Sequence, residues 1–155
     1  FGRHRISEAD ARRLGRRPGE RPLSAVRQRA IANLVYGAAW GQKQLGNTEP
    51  DDGWTFRGRG LDHCTGRRNY GRTGKAIGVD LLADPAALLR PEHAVAALVT
   101  GMQAGRYTGQ TLAQHLTAPF ATAAQFAEAR RIINGTDRAG DIAAIARTIQ
   151  AALEQ

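Results

Sequence analysis

Residues 46–70 read GNTEPDDGWTFRGRGLDHCTGRRNY, and the reading of the chain turns on this stretch. Its first half is turn chemistry, because Gly46-Asn47, Pro50-Asp51 and Asp52-Gly53 are pairs that favour tight reversals. Trp54 and Phe56 sit among those turns, and large aromatics argue for an ordered loop. Arg57 and Arg59 alternate with Gly58 and Gly60. Glycines on either side of an arginine let the backbone approach closely while the guanidinium projects with paired donors. Beyond Gly60 the spacing predicts a helix from about Leu61 to about Ile77, broken at Gly66. On such a helix Thr65 and Asn69, four residues apart, share one face.

Working outward, Ser7 and Asp10 read as a capping box with Asp in place of Glu, opening a short helix that stops at Gly15. Residues 16–22 form a charged, Pro- and Gly-containing loop. Ser24 caps a second helix, on which Val26, Ala30, Ile31, Leu34 and Val35 fall at the spacing of one apolar stripe. From Gly37 to Gly60 the chain reads as a long ordered loop or small hairpin. Pro85 and Pro91 each open a helical turn. The helix after Pro91 carries Ala94, Val95, Leu98, Val99 and Met102 and is capped near Gly105. Further helices are expected over 112–116, over 121–133 and from Arg138 onward, the last with Ile142, Ile145, Ile149 and Leu153 on one face. The fold class is mainly α, and the 155 residues fit one domain over 1–155 with no repeat and no linker.

Hydrophobic content of 42% is enough for a packed core, so the chain is not a disordered segment. No apolar run approaches the roughly 20 residues of a membrane span. One cysteine, Cys64, excludes an internal disulfide framework. The histidines at 4, 63, 93 and 115 are scattered and no metal-ligand spacing occurs, so no metal and no cofactor are expected. The net charge of +8 points to anionic partners after the plainer reading of a solvated basic face. An anionic cell envelope ranks above nucleic acid, because no helix-turn-helix, RNA-recognition or zinc-finger pattern accompanies the charge.

The segment 46–70, with Arg130-Arg131-Ile132-Ile133-Asn134-Gly135, resembles the substrate-cleft segments of family 19 glycoside hydrolases, the chitinases and bacterial or phage endolysins. Residues 74–82 and 101–109 are similar to the helical scaffold of lysin-type members. The resemblance implies a lysozyme-like helical domain whose long loop lines a glycan cleft. Thr65 falls on the position associated with the nucleophilic water. Trp54, Arg59, His63, Asn69, Tyr70 and Asn134 fall on substrate-binding positions. Asp62, His63 and Cys64 depart from the family's Ile, Gln and Leu; a histidine can still donate to a sugar as glutamine does. The implied substrate is a β-1,4-linked N-acetylhexosamine polymer, peptidoglycan in preference to chitin. The implied site of action is the cell wall or periplasm, reached from the cytoplasm without a visible signal peptide. A monomer is expected.

Glycoside hydrolysis uses two carboxyl groups flanking the bond. The family's acid lies in a His-Glu pair upstream of the cleft segment, and nothing before Gly46 matches it. Three explanations stand open: a fragment of a longer enzyme, as Phe1 in place of Met hints, a degenerate member that binds without cutting, or an unrecognised acid. Glu49 is the candidate base, with Asp52 either a second base or a brace for the loop. Two other readings stand beside hydrolysis. One is a non-catalytic module that binds wall glycan. The other takes Asp62-His63-Cys64-Thr65 as a cysteine peptidase motif, with Cys64 at a helix N-terminus and His93 or His115 folded onto it.

Overall fold

The computed structural model describes residues 24–154, and among them the architecture is mainly helical, as the sequence predicts. The helix expected after Ser7, together with Glu8, Glu20 and the arginines up to Arg21, lies outside the described residues. In chain order come α1 (Ala25–Tyr36), α2 (Ala39–Leu45), α3 (Asp52–Thr55), α4 (Arg67–Ile77) and a 3-10 turn (Pro85–Leu89). There follow α5 (Pro91–Gln103), α6 (Leu112–His115), α7 (Ala123–Ala129), α8 (Arg131–Asn134) and α9 (Ala139–Leu153). Two compact units divide between Ala97 and Leu98.

In the first unit Ser24 caps α1 by accepting from the Arg27 amide, and α1 packs against α2 and α3. The core gathers Phe56, Cys64, Tyr70, Leu81, Ala87, Leu88 and Ala97. Phe56 and Tyr70 meet edge to face with centroids 5.2 Å apart, an arrangement that contributes about 0.5–1.5 kcal/mol beyond area burial. Helix α4 buries Tyr70, Thr73 and Gly74, spaced three and four residues apart along one face. A Cβ at Gly74 would lie 2.4 Å from the Val79 carbonyl oxygen, so the return of the chain past α4 requires glycine there.

The segment expected as loop from Gly37 to Gly60 holds helices α2 and α3 instead. Gly41 lowers helix propensity in the middle of α2 and hid it. The glycine is required by a tertiary approach, since a Cβ would fall 1.7 Å from the Tyr36 carbonyl oxygen. The helix expected from Leu61 begins only at Arg67, behind Gly66 at φ 95°. Residues 59–64 form a miniature reversal instead. The Arg59 amide donates to the Cys64 carbonyl at 3.2 Å, and Asp62 Oδ1 accepts from the Cys64 amide at 3.3 Å. Gly60 (φ 76°) and His63 (φ 52°) supply the left-handed turns that a helix would forbid.

In the second unit α7 packs on α9 around Ala121, Ala129, Ile132 and Ala143. The helix expected over 121–133 is divided at Arg130 into α7 and α8. Thr122 and Gln125 form a capping box at the start of α7. Helix α9 faces inward with Ala139, Ala143, Ala146 and Gln150, and Gln150 Oε1 accepts from the Ala121 amide at 3.0 Å. Its isoleucines at 142, 145 and 149 and Leu153 are exposed, because this close approach to α7 runs through alanines.

Candidate functional site

Side-chain amides and carboxylates, more than apolar contacts, hold the segment 46–70 in shape. Asn33, on α1, donates to Asp51 Oδ1 and accepts from the Trp54 amide, both at 2.7 Å. Asn47 is buried and joins two elements, donating to the Tyr36 carbonyl at 2.9 Å and accepting from the Arg67 amide at 2.8 Å. Asp52, only 2% exposed, accepts from the amides of Thr48 (2.8 Å) and Glu49 (3.1 Å). The Arg67 guanidinium grips the same carboxylate with both ends of its fork, at 2.8 and 2.6 Å.

This pattern decides what the two aspartates can do. At Asp52 burial opposes the charge and is the largest single influence. The Arg67 fork and the two backbone amides together outweigh it and hold the carboxyl below the usual aspartate range. Asp51 is held down chiefly by its hydrogen bonds from Arg29 and then Asn33. A general acid needs the opposite shift. Neither aspartate is therefore suited to be the general acid, and through these hydrogen bonds both brace the loop.

Arg59 does not project. Its guanidinium folds inward, 9% exposed, donating to the Thr55 carbonyl at 2.7 Å and the Tyr70 hydroxyl at 2.9 Å. The carbonyl dipoles at the end of α3 and the phenol draw the charge in, since a buried guanidinium must find acceptors. Its Nε is the one buried side-chain nitrogen or oxygen without a partner among the described residues. Tyr70 is wholly buried and donates to the Arg57 carbonyl at 2.7 Å. In this arrangement both side chains are buried and hydrogen-bonded within the segment, where they support its shape. Arg57 lies over the Trp54 ring at 3.9 Å and donates to the Trp54 carbonyl, covering one face of a half-buried indole.

Four sequence-selected residues reach solvent around this scaffold. Glu49 and His63 are exposed, and Thr65 and Asn69 are half-buried. Glu49 makes no ion pair within 4 Å among the described residues, and its one side-chain hydrogen bond comes from the Thr48 hydroxyl. Thr65 precedes α4, so it and Asn69 do not share a helix face. They are joined another way, Asn69 Nδ2 donating to the Thr65 carbonyl at 2.8 Å. Thr65 Oγ1 donates to the His63 carbonyl at 2.7 Å, which commits its proton and leaves its lone pairs as acceptors. Asn134 is exposed in the second unit. Cys64 is buried with its sulfur 3.7 Å from the Thr73 hydroxyl, and helix α4 starts three residues later. Cys64 is therefore not at the helix N-terminus on which the cysteine peptidase reading relied.

Sequence reasoning missed Asn33, Asn47 and Arg67. Asn33 lay inside an apolar stripe, and Asn47 read as turn chemistry. No group of His, Cys, Asp and Glu residues that could hold a metal occurs among the described residues. No helix among them is long and apolar enough to cross a membrane.

No family model matches the chain. Over 51 residues it is 41% identical to a glycosyl hydrolase family 19 domain-containing protein of Haemophilus influenzae. The match covers 33% of this chain and 24% of that protein, so it spans less than two thirds of the relative's length. Over that stretch the chain is related to a glycosidase-family protein.

Proposed function

We propose that the chain is a glycan hydrolase domain of the family 19 type, acting on β-1,4-linked N-acetylhexosamine polymers, with peptidoglycan preferred to chitin. The observation that carries this reading is the acceptor geometry at Thr65. A water that donates to Thr65 Oγ1 keeps a lone pair free to attack, and we assign the exposed Glu49 carboxylate of the same segment as the base for its other proton. Asn69 retains an amide oxygen and one N–H for a sugar acetamido group. His63 donates from the exposed turn, and the partly covered Trp54 offers its remaining edge to a sugar. Asn134 is proposed as a further contact. The mechanism is inverting, with an acid protonating the leaving oxygen while the water attacks the opposite face. The partial family relationship supports the reaction class.

The proposal includes a single domain over 1–155, a monomer, and action at the cell wall or periplasm. Its test is release of new reducing ends from purified peptidoglycan, and separately from chitin oligomers. Thr65→Val is expected to abolish release while leaving the unfolding midpoint nearly unchanged. Cleavage by that variant at the parent rate would remove Thr65 from the mechanism.

A second reading, a non-catalytic glycan-binding module, is favoured by the commitment of Asp51 and Asp52 to arginines. Neither of these two carboxylates is then suited to act as the acid beside Glu49. Binding to insoluble glycan with no reducing ends released selects this reading.

A further inference from the structure

Two groups of cationic side chains in the first unit differ in their partners. Arg29, Arg67 and Arg90 answer Asp51, Asp52 and Asp84. Arg68, Arg72 and Lys75 on α4, with Lys43 at the end of α2, are all exposed and have no carboxylate within 4 Å among the described residues. Arg68, Arg72 and Lys75 stand at i, i+4 and i+7, which sets them on the face of α4 opposite Tyr70, Thr73 and Gly74. They run about 10 Å along the helix, about one charge per turn. The Arg68 guanidinium donates to the carbonyls of Lys43 and Gln44, which ties the end of α2 to this ridge. The nearby carboxylate of Asp80 accepts from the amides of Leu82 and Ala83 instead.

We propose that Arg68, Arg72, Lys75 and Lys43 form a binding ridge for a linear phosphodiester polymer carried by the cell-wall glycan. The inference rests on the glycan reading for its setting, because Asn69 and the preceding Thr65 lie at the start of the same helix. Regularly spaced single charges suit a regularly spaced polyanion. The exposed positions of α4 are Arg68, Arg72, Lys75 and Ala76. That face has no aromatic on which bases could stack and no large apolar group to enter a lipid interface, which argues against nucleic acid and membrane.

The test is binding of the full chain to purified bacterial walls bearing a glycerol-phosphate polymer. The same walls stripped of that polymer by hydrofluoric acid serve as the second arm, each over a range of salt. The parent is expected to bind intact walls more tightly, with a steep salt dependence. Arg72→Gln with Lys75→Gln is expected to erase the difference between intact and stripped walls. The slope of log K against log salt should fall by about 2. Arg72→Lys with Lys75→Arg should keep both. Equal parent binding to the two walls, or an unaltered slope in the Gln variant, overturns the ridge. Tighter binding to phosphatidylglycerol vesicles or single-stranded DNA than to intact walls overturns the partner. Loss of binding to stripped walls alone counts against the glycan reading and leaves the ridge standing.

Discussion

The two units are held by different means. In the first, buried polar side chains such as Asn47, Asp52 and Arg59 each join elements distant in sequence, and the apolar core of Phe56, Tyr70, Leu81 and Leu88 is built around them. In the second, alanines let α7 and α9 approach closely, Ile132 is the one large side chain fully buried among the described residues, and much of the apolar surface of α9 faces solvent. A polar brace is specific and brittle, since removing one partner strands the others in a dry interior. Alanine packing is tolerant, because little is lost at any single position.

The comparison breaks most severely at Asp52. Asp52→Asn leaves the Arg67 guanidinium without its charge partner. It is expected to cost about 3 kcal/mol, at the low end for a buried pair because Arg67 stays 35% exposed. Urea unfolding of the parent and variant measures it. The pH dependence follows from the same contact. A carboxyl held below its ordinary value lends stability that is complete above pH of about 4 and is lost as pH falls through the folded value. The unfolding midpoint of the parent should therefore drop on acidification below about pH 4, and drop less in Asp52→Asn. An equal acid response in both proteins would show that the Asp52 contact contributes nothing.

Next in size is Tyr70→Phe, which keeps the ring contact with Phe56 but removes the acceptor for Arg59 and the donor to the Arg57 carbonyl. A loss of about 1–3 kcal/mol is expected in the same unfolding measurement. A neutral result would make Tyr70 an apolar core residue and nothing more. The smallest effect belongs to the second unit. Ile149→Gln, at a position 56% exposed, should change stability by no more than about 0.5 kcal/mol. A loss several times larger would mean that this face of α9 is covered in solution.

Helices whose signals are local were legible in the sequence. Ser24, Asp84-Pro85 and Arg90-Pro91 marked starts that the structure keeps, and Gly105 adopts the positive φ expected near a helix end. The segment that mattered most was read correctly as ordered and incorrectly in its local form. Asp62 and His63, helical positions by sequence spacing, turn the chain instead, with the Asp62 carboxylate accepting from the Cys64 amide. Pattern reasoning placed Arg59 at the surface because a lone arginine usually belongs there. Its true neighbours, the Thr55 carbonyl and the Tyr70 hydroxyl, come from residues four before and eleven after, and no periodicity announces them. The role of Asn33 is hidden for the same reason, its partners lying 18 and 21 residues away.

Asp52 has an evolutionary consequence. Four donors from three residues converge on one carboxylate, so no single substitution at position 52 or 67 leaves the remaining partners content. Exposed positions that take no part in this brace or in the proposed chemistry, such as Leu61, can change one at a time. The bracing residues between Asn47 and Arg67 must be inherited as a block, which lets the surface change without rebuilding what carries it.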